Sequence, residues 1–245
     1  MGMEYPRVVR YRRTIRGSCR HGGGGGGVGE VPQLDGGFVL RWMREMAGDI
    51  HDQRDFLTQL DAAIGDADHG INMDRGFAAA LAKLEAEPGG PPGDLLEAVG
   101  TTLVLSVGGA SGPLYGSAIR QMGRALDGAK TFDAEALLVL LRAGLEEVQR
   151  LGAAQVGDKT IVDALSPAIE AYERGLRSGD DLVGATTRAH VAAEEGMRAT
   201  IPLQARKGRA SYLGARSVGH QDPGVTSTTM FFDSLQRAAA WEAGP

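Results

Sequence analysis

The segment "FVLRWMREMAGDI", Phe38 to Ile50, places Phe38, Trp42, Met46 and Ile50 at four-residue intervals with charged residues between them. This spacing draws one apolar stripe along an α-helix. The same period returns in Arg54–Ile64, where Phe56, Leu57, Leu60 and Ile64 are apolar. It continues in Met73–Glu85, Asp94–Val107, Pro113–Leu126, Asp133–Leu151, Thr160–Leu176, Asp181–Ala199 and Pro223–Ala240. Pro113 suits a first helical position, and "TIVD" (Thr160 to Asp163) has the form of a capping box. Alternating β-branched runs do not occur, and aromatic residues make up only 5% of the chain. The expected fold is therefore all-α, with about eight helices joined by glycine-rich loops. "EPGGPPG" (Glu87 to Gly93) reads as one of those loops and not as a linker between domains.

At 245 residues the chain can bury a sizeable core. A net charge of −5 supplies no electrostatic reason to expect a nucleic-acid partner. No run of 18 apolar residues is present, so no membrane span is expected. The start, "MGMEYPRVVRYRRTIRGSCR", is basic but lacks the apolar centre of a secretory signal. Its Cys19 is the only cysteine, which excludes internal disulfides and suits a cytoplasmic location. Residues 1–35 differ from the rest. "HGGGGGGVGEVPQLDGG" holds six consecutive glycines, which match a GxGxxG pattern trivially, with no strand before them and no helix opening on them. Such a run cannot offset its ordering entropy by burial, so residues 1–35 are expected to be a disordered extension and residues 36–245 the folded domain.

"LDAAIGDADHGINMDRGF", Leu60 to Phe77, sets Asp61, Asp66 and Asp68 within eight residues. Gly65 is expected to end a helix, which leaves Asp61 on its last turn and Asp66 and Asp68 on a loop. Converging carboxylates repel unless cations neutralise them, and Mg²⁺ favours a few carboxylates together with substrate phosphate oxygens. The bland alternative makes Asp61 a surface residue and Asp68 the N-cap of the next helix.

Other segments bear on that choice. "VGGASGPLYGS" (Val107 to Ser117) ends one helix and opens another, and its small residues let backbone amides approach an anion. An ordinary tight turn is the alternative. "QARKGRASYLGARSVGHQDPG" (Gln204 to Gly224) is a long, polar, glycine-broken stretch with Arg206, Lys207 and Arg209. It is either a solvated cationic loop or a functional one. "GDKTIVDAL" (Gly157 to Leu165) starts a helix with a lysine at hand, although capping alone explains Thr160 and Asp163. No Walker A motif exists: "GDADHG" is followed by Ile71 and Asn72 where GxxxxGK[ST] needs lysine and a hydroxyl. A serine-hydrolase elbow, cysteine zinc clusters and HExxH are also absent.

In order along the chain, "LDAAIGDADHGINMDRGF", "GGASGPLYG", "GDKT" and "QARKGRASYLGARSVGHQDPG" resemble the nucleotide-binding L subunit of dihydroxyacetone kinase. The resemblance runs from about Phe38 to Ala240. It implies an antiparallel eight-helix barrel with the nucleotide on the loops at one end. It implies that Asp61, Asp66 and Asp68 ligate two Mg²⁺ ions on a tightly bound ADP. His69, Gly70, Ile71 and Asn72 match the segment that touches the nucleotide, and Ala110 and Ser111 match a glycine-loop contact. Gly152 and Ile161 match positions around the base, where the family often has methionine in place of Ile161. Arg209 matches a nucleotide-contacting arginine, and Asp222, Pro223 and Gly224 match the final contact loop. Three carboxylates and about −3 from ADP against +4 from two Mg²⁺ leave about −2 for helix N-termini and Arg209 to meet. Phosphoryl transfer is mostly positioning and charge neutralisation, so no protein nucleophile is required.

The implied partners are a K subunit carrying dihydroxyacetone and a phosphohistidine protein of the phosphotransferase system, with a homodimer left open. The length matches the stand-alone arrangement, in which resident ADP is recharged in place. Two other classes stay open at this point. One is an ATP-exchanging kinase subunit for another ketose or tetrose. The other is a non-catalytic, nucleotide-loaded regulatory module.

Overall fold

The computed structural model describes residues 32–244. Among them are nine α-helices: α1 (Gly36–Asp52), α2 (Arg54–Ile64), α3 (His69–Ala86), α4 (Pro92–Ser106), α5 (Ser111–Arg124), α6 (Ala134–Gly152), α7 (Val162–Arg177), α8 (Leu182–Thr200) and α9 (Pro223–Glu242). A 3₁₀ segment, Arg209–Ser217, interrupts the stretch read as a plain loop. Aspartate starts four of the helices. Asp35, Asp133, Asp181 and Asp222 each accept a first-turn N–H through their side chains, which satisfies donors that the helix cannot.

Each helix packs on its neighbour in the order α1, α3, α4, α5, α6, α7, α8, α9, and α9 closes the ring on α1. This is the expected eight-helix antiparallel barrel. The ninth helix, α2, is the periodic segment Arg54–Ile64, and it is not a stave of the barrel. It follows α1 after the single residue Gln53, stands outside the ring order, and packs on α3, α9 and the 3₁₀ segment. The apolar stripe of α1 faces the centre as its period requires. Phe38, Trp42, Met46 and Ile50 are all fully buried. Phe38 meets Phe132 edge-on, and Trp42 lies 4.7 Å from the Phe231 ring while donating its indole N–H to the Phe231 carbonyl.

One seam is set by the smallest residue. Gly93 and Gly100 of α4 face Gly123 and Gly116 of α5, and a Cβ at any of the four would press on the opposing backbone. The glycines let the two helix backbones approach where side chains would hold them apart.

Two expectations change. Pro113 is the third residue of α5, because the helix opens at Ser111; it still lies in the first turn, where its missing N–H costs nothing. Ordered structure begins before residue 36: Leu34 is buried and pairs with Phe132 through two backbone hydrogen bonds, and Asp35 caps α1. The rest of the expected disordered extension, residues 1–31, lies outside the described residues. No helix among the described residues is long and apolar enough to cross a membrane.

Candidate functional site

Up-and-down winding places alternate connections at one end of the barrel: residues 65–68, 107–110, 153–161 and 201–222. Every sequence-derived site residue lies on these connections or on the helix ends flanking them.

The three aspartates converge. Asp61 sits on the last turn of α2, Gly65 ends that helix, and Asp66 and Asp68 occupy the turn before α3. One carboxylate oxygen from each lies within 4.8 Å of the others. Ala67 between the latter two has φ +63, a left-handed conformation that costs a non-glycine residue free energy and directs its neighbours to one side. The bland alternative fails for Asp61, which is 7% exposed. Its Oδ2 accepts the N–H of Asp68 at 2.9 Å and that of His69 at 3.2 Å, so Asp61 caps α3 from the preceding helix. Asp68 holds the N-cap position but makes no capping bond with its own side chain, which stays available to a ligand. A Cβ on Gly65 would collide with the Asp61 carboxylate. Arg209 reaches across from the 3₁₀ segment and pairs with Asp66 at 3.0 Å. Hard oxygen donors at this spacing, with a cation already drawn to them, fit a small divalent ion such as Mg²⁺.

Beneath the aspartates runs a buried polar chain. His69 Nδ1 meets Ser111 Oγ at 3.1 Å and Nε2 meets Ser227 Oγ at 3.0 Å. Ser227 is also bonded to Tyr115 Oη at 2.8 Å, and Tyr115 continues to Thr228 Oγ1 at 2.7 Å and the Gly224 carbonyl at 3.1 Å. Burial pulls the His69 pKa down to about 4, against the opposing pull of Asp61 and Asp68, so the ring is neutral at pH 7. With both ring nitrogens occupied, His69 links α3, α5 and α9 and is not placed as a general acid or base. Burial likewise lifts Tyr115 to about 12.

The remaining candidates fall into smaller groups. Gly70 packs so closely on α2 that a Cβ would strike the Arg54 carbonyl and Thr58. Ile71 is half exposed and lines a shallow cavity of about 840 Å³ with Arg54, Phe56 and Arg75, on the α2–α3 face. Asn72 is buried, accepts a bond from Arg75 and lies against Gly108 of the next loop. Ala110 and Ser111 open α5 without a side-chain cap, leaving its first amides for an anion. Ile161 is 8% exposed and lies against Gly224. Gly152 ends α6, and a Cβ there would meet Ala154 and Leu114. Asp222 caps α9 and Pro223 is its first residue. Burial raises Asp222 to about 6, with Lys159 opposing and Asp61 adding to the shift.

Ser227, Tyr115 and Thr228 escaped the sequence reading. The signal was the hydroxyl run Thr226–Thr229, four polar residues in succession on a helix, all of them buried.

The family model of the DAK2 domain matches residues 63–237. The chain belongs to the DAK2 domain family. Among its relatives is the ADP-binding subunit of the phosphoenolpyruvate-dependent dihydroxyacetone kinase of Escherichia coli. It is 40% identical over 201 residues, covering 82% of this chain and 96% of that protein. The D-erythrulose kinase of Mycolicibacterium smegmatis is 33% identical over 91% of this chain, which spans only 39% of that longer protein. The solved dihydroxyacetone kinase of C. freundii, in complex with AMP-PNP and Mg²⁺, aligns over 92% of this chain and 38% of its own, with a TM-score of 0.62 and 24% identity. That likeness establishes the fold.

Proposed function

We propose that this DAK2 chain is the ADP-binding subunit of a phosphoenolpyruvate-dependent dihydroxyacetone kinase. It would hold Mg-bound ADP on its loop end, take a phosphoryl group from a phosphohistidine protein of the phosphotransferase system, and pass it to dihydroxyacetone on a K subunit. The observation that carries this reading is the convergence of Asp61, Asp66 and Asp68 within 4.8 Å, facing Arg209. The ADP-binding role of the Escherichia coli relative supports it, since this chain spans 96% of that subunit.

Asp66 and Asp68, with Asp61 behind them, would hold the metal ions. Bound divalent ions would neutralise phosphate charge and that of the transition state. The chain's own residues do the positioning. The uncapped start of α5 offers amide donors, and Arg209 offers a forked donor to phosphate oxygens. Ile161 supplies an apolar wall for the base. Neutral His69 fixes the relative placement of α3, α5 and α9 and moves no proton.

The test is reconstitution. Purified protein should carry ADP and Mg²⁺, and should transfer phosphate to dihydroxyacetone when mixed with K subunit and phosphodonor. Asp66→Ala and Asp68→Ala should lose both ADP and transfer. A variant that keeps stoichiometric ADP and Mg²⁺ would move the site elsewhere. ADP that washes out freely would favour the ATP-exchanging alternative. Retained ADP with no transfer would favour a regulatory module. A tetrose is the second substrate reading, since the D-erythrulose kinase of Mycolicibacterium smegmatis holds a region 33% identical to this chain. Replacing dihydroxyacetone by erythrulose in the same assay decides it.

A further inference from the structure

The connection between α8 and α9 carries Arg209, and it forms a closed loop. The Gly219 N–H donates to the Ile201 carbonyl at 2.8 Å, joining the two limbs at the neck. Ser217 Oγ accepts the Ala205 N–H at 2.9 Å and donates to the Gly214 carbonyl at 2.6 Å. Ala205, Ala210 and Ile64 form a small apolar cluster that presses the loop onto the end of α2.

Lys159 enters this neck from the loop before α7. Its ammonium donates to the carbonyls of Ile201 at 3.3 Å and Leu203 at 3.1 Å on the incoming limb, and of Ser217 at 2.7 Å on the outgoing limb. An ammonium has three protons, and here each has an acceptor. The residue is 1% exposed. Its backbone is left-handed at φ +61, a conformation rare for a residue with a Cβ. The segment below is held firmly. Asp163 accepts the Gly157 N–H at 2.6 Å and the Thr160 N–H at 2.7 Å, and the Asp158 carbonyl accepts the Arg206 N–H at 3.0 Å. The hydrogen-bond partners of the Lys159 ammonium are all carbonyls, with Asp222 the carboxylate that acts on it from a distance. A buried cation held this way is an expensive means of stabilising a fold, because apolar packing would serve as well. It suits the task of fixing a segment that has little apolar surface of its own.

We propose that Lys159 is a positioning residue, whose buried ammonium ties the two limbs of the Ile201–Gly219 loop together and so holds Arg209 over the aspartate cluster. The role of Arg209 toward nucleotide rests on the function proposed above, whereas the clamp rests on the three carbonyl bonds.

The test uses the full-length chain. The loop offers trypsin Arg206, Lys207, Arg209 and Arg216. Lys159→Met keeps the length of the side chain and removes its charge, and Lys159→Gly also accommodates the left-handed backbone. Nicking inside residues 201–219 should accelerate about tenfold in nucleotide-free Lys159→Met, with an unchanged far-UV helix signal. Affinity for MgADP should fall about tenfold, and Lys159→Met should cost less than about twofold when Arg209 is already methionine, since coupled residues are not additive. Unchanged nicking overturns the proposal. So does an equal affinity loss in both Arg209 backgrounds, or loss of helix signal in Lys159→Met and Lys159→Gly alike, which would make the lysine a support of the whole bundle. Wild-type protein that binds no MgADP overturns the functional reading and not the clamp, which nicking then judges alone.

Discussion

Acidification should weaken the fold through His69, and the size of the effect follows from its burial. The ring is 6% exposed, and its pKa falls from 6.5 to about 4. A histidine whose folded pKa is depressed contributes stability that is complete above its unfolded pKa of 6.5. That contribution is lost as pH falls toward about 4, because the unfolded chain binds the proton first. The fall in the His69 pKa corresponds to roughly 3 kcal/mol. Asp49 and Asp222 act in the opposite direction, since burial raises both to about 6 and the folded chain takes up their protons first. The total slope is therefore a sum of opposed parts, and the informative quantity is a difference. Urea unfolding of nucleotide-free, EDTA-treated protein should be followed from pH 7.5 to 4 for wild type and His69→Asn. The variant should be less stable at pH 7.5, having lost the bonds to Ser111 and Ser227. The gap should then shrink by roughly 3 kcal/mol as the pH falls, because only the wild type must charge a buried ring. A gap constant within about 0.5 kcal/mol would refute the assignment of a neutral, buried His69.

Asp61→Ala should destabilise the metal-free protein by roughly 2–4 kcal/mol, since it leaves the Asp68 and His69 amides without an acceptor. Asp61→Asn should recover more than half of that in urea melts while still failing to bind MgADP, and equal losses for the two variants would contradict the capping role. Gly116→Val should cost about 1–3 kcal/mol or more, because the new side chain meets the Gly100 carbonyl and the α4 backbone; an unchanged urea midpoint would show that the seam can open freely. Arg209→Lys should keep most of the MgADP affinity but slow single-turnover transfer, since lysine supplies a point charge in place of a forked donor, whereas Arg206→Lys should be nearly silent. Equal transfer rates for Arg209→Lys and wild type would remove Arg209 from the catalytic set.

The helices were readable because their causes are local. A four-residue apolar period, an aspartate before a first turn and a glycine after a last turn all act within a few residues, so α1, α6 and α8 lie within two residues or so of where the pattern puts them. The start of α5 was misplaced because Pro113 fits any of the first turn's positions equally well. The aspartate cluster was half legible. Its density showed in the sequence, but the division of labour did not: Asp61 and Asp68 exchange the roles that a local reading assigns, because the capping carboxylate arrives from the preceding helix.

The sequence by itself determined an all-α chain, the approximate positions of its helices, and the connections on which charge and glycine gather. Tertiary structure alone decided that α9 closes the ring on α1, and with it that residues 69, 111 and 227 share one hydrogen-bonded chain. It alone decided that Lys159 lies inside the neck of a loop more than 40 residues further on, and that Arg209 meets Asp66. The physical reason is range. Periodicity and capping are written in neighbouring residues, whereas the partner of a buried polar group is set by which helices the closed core brings side by side.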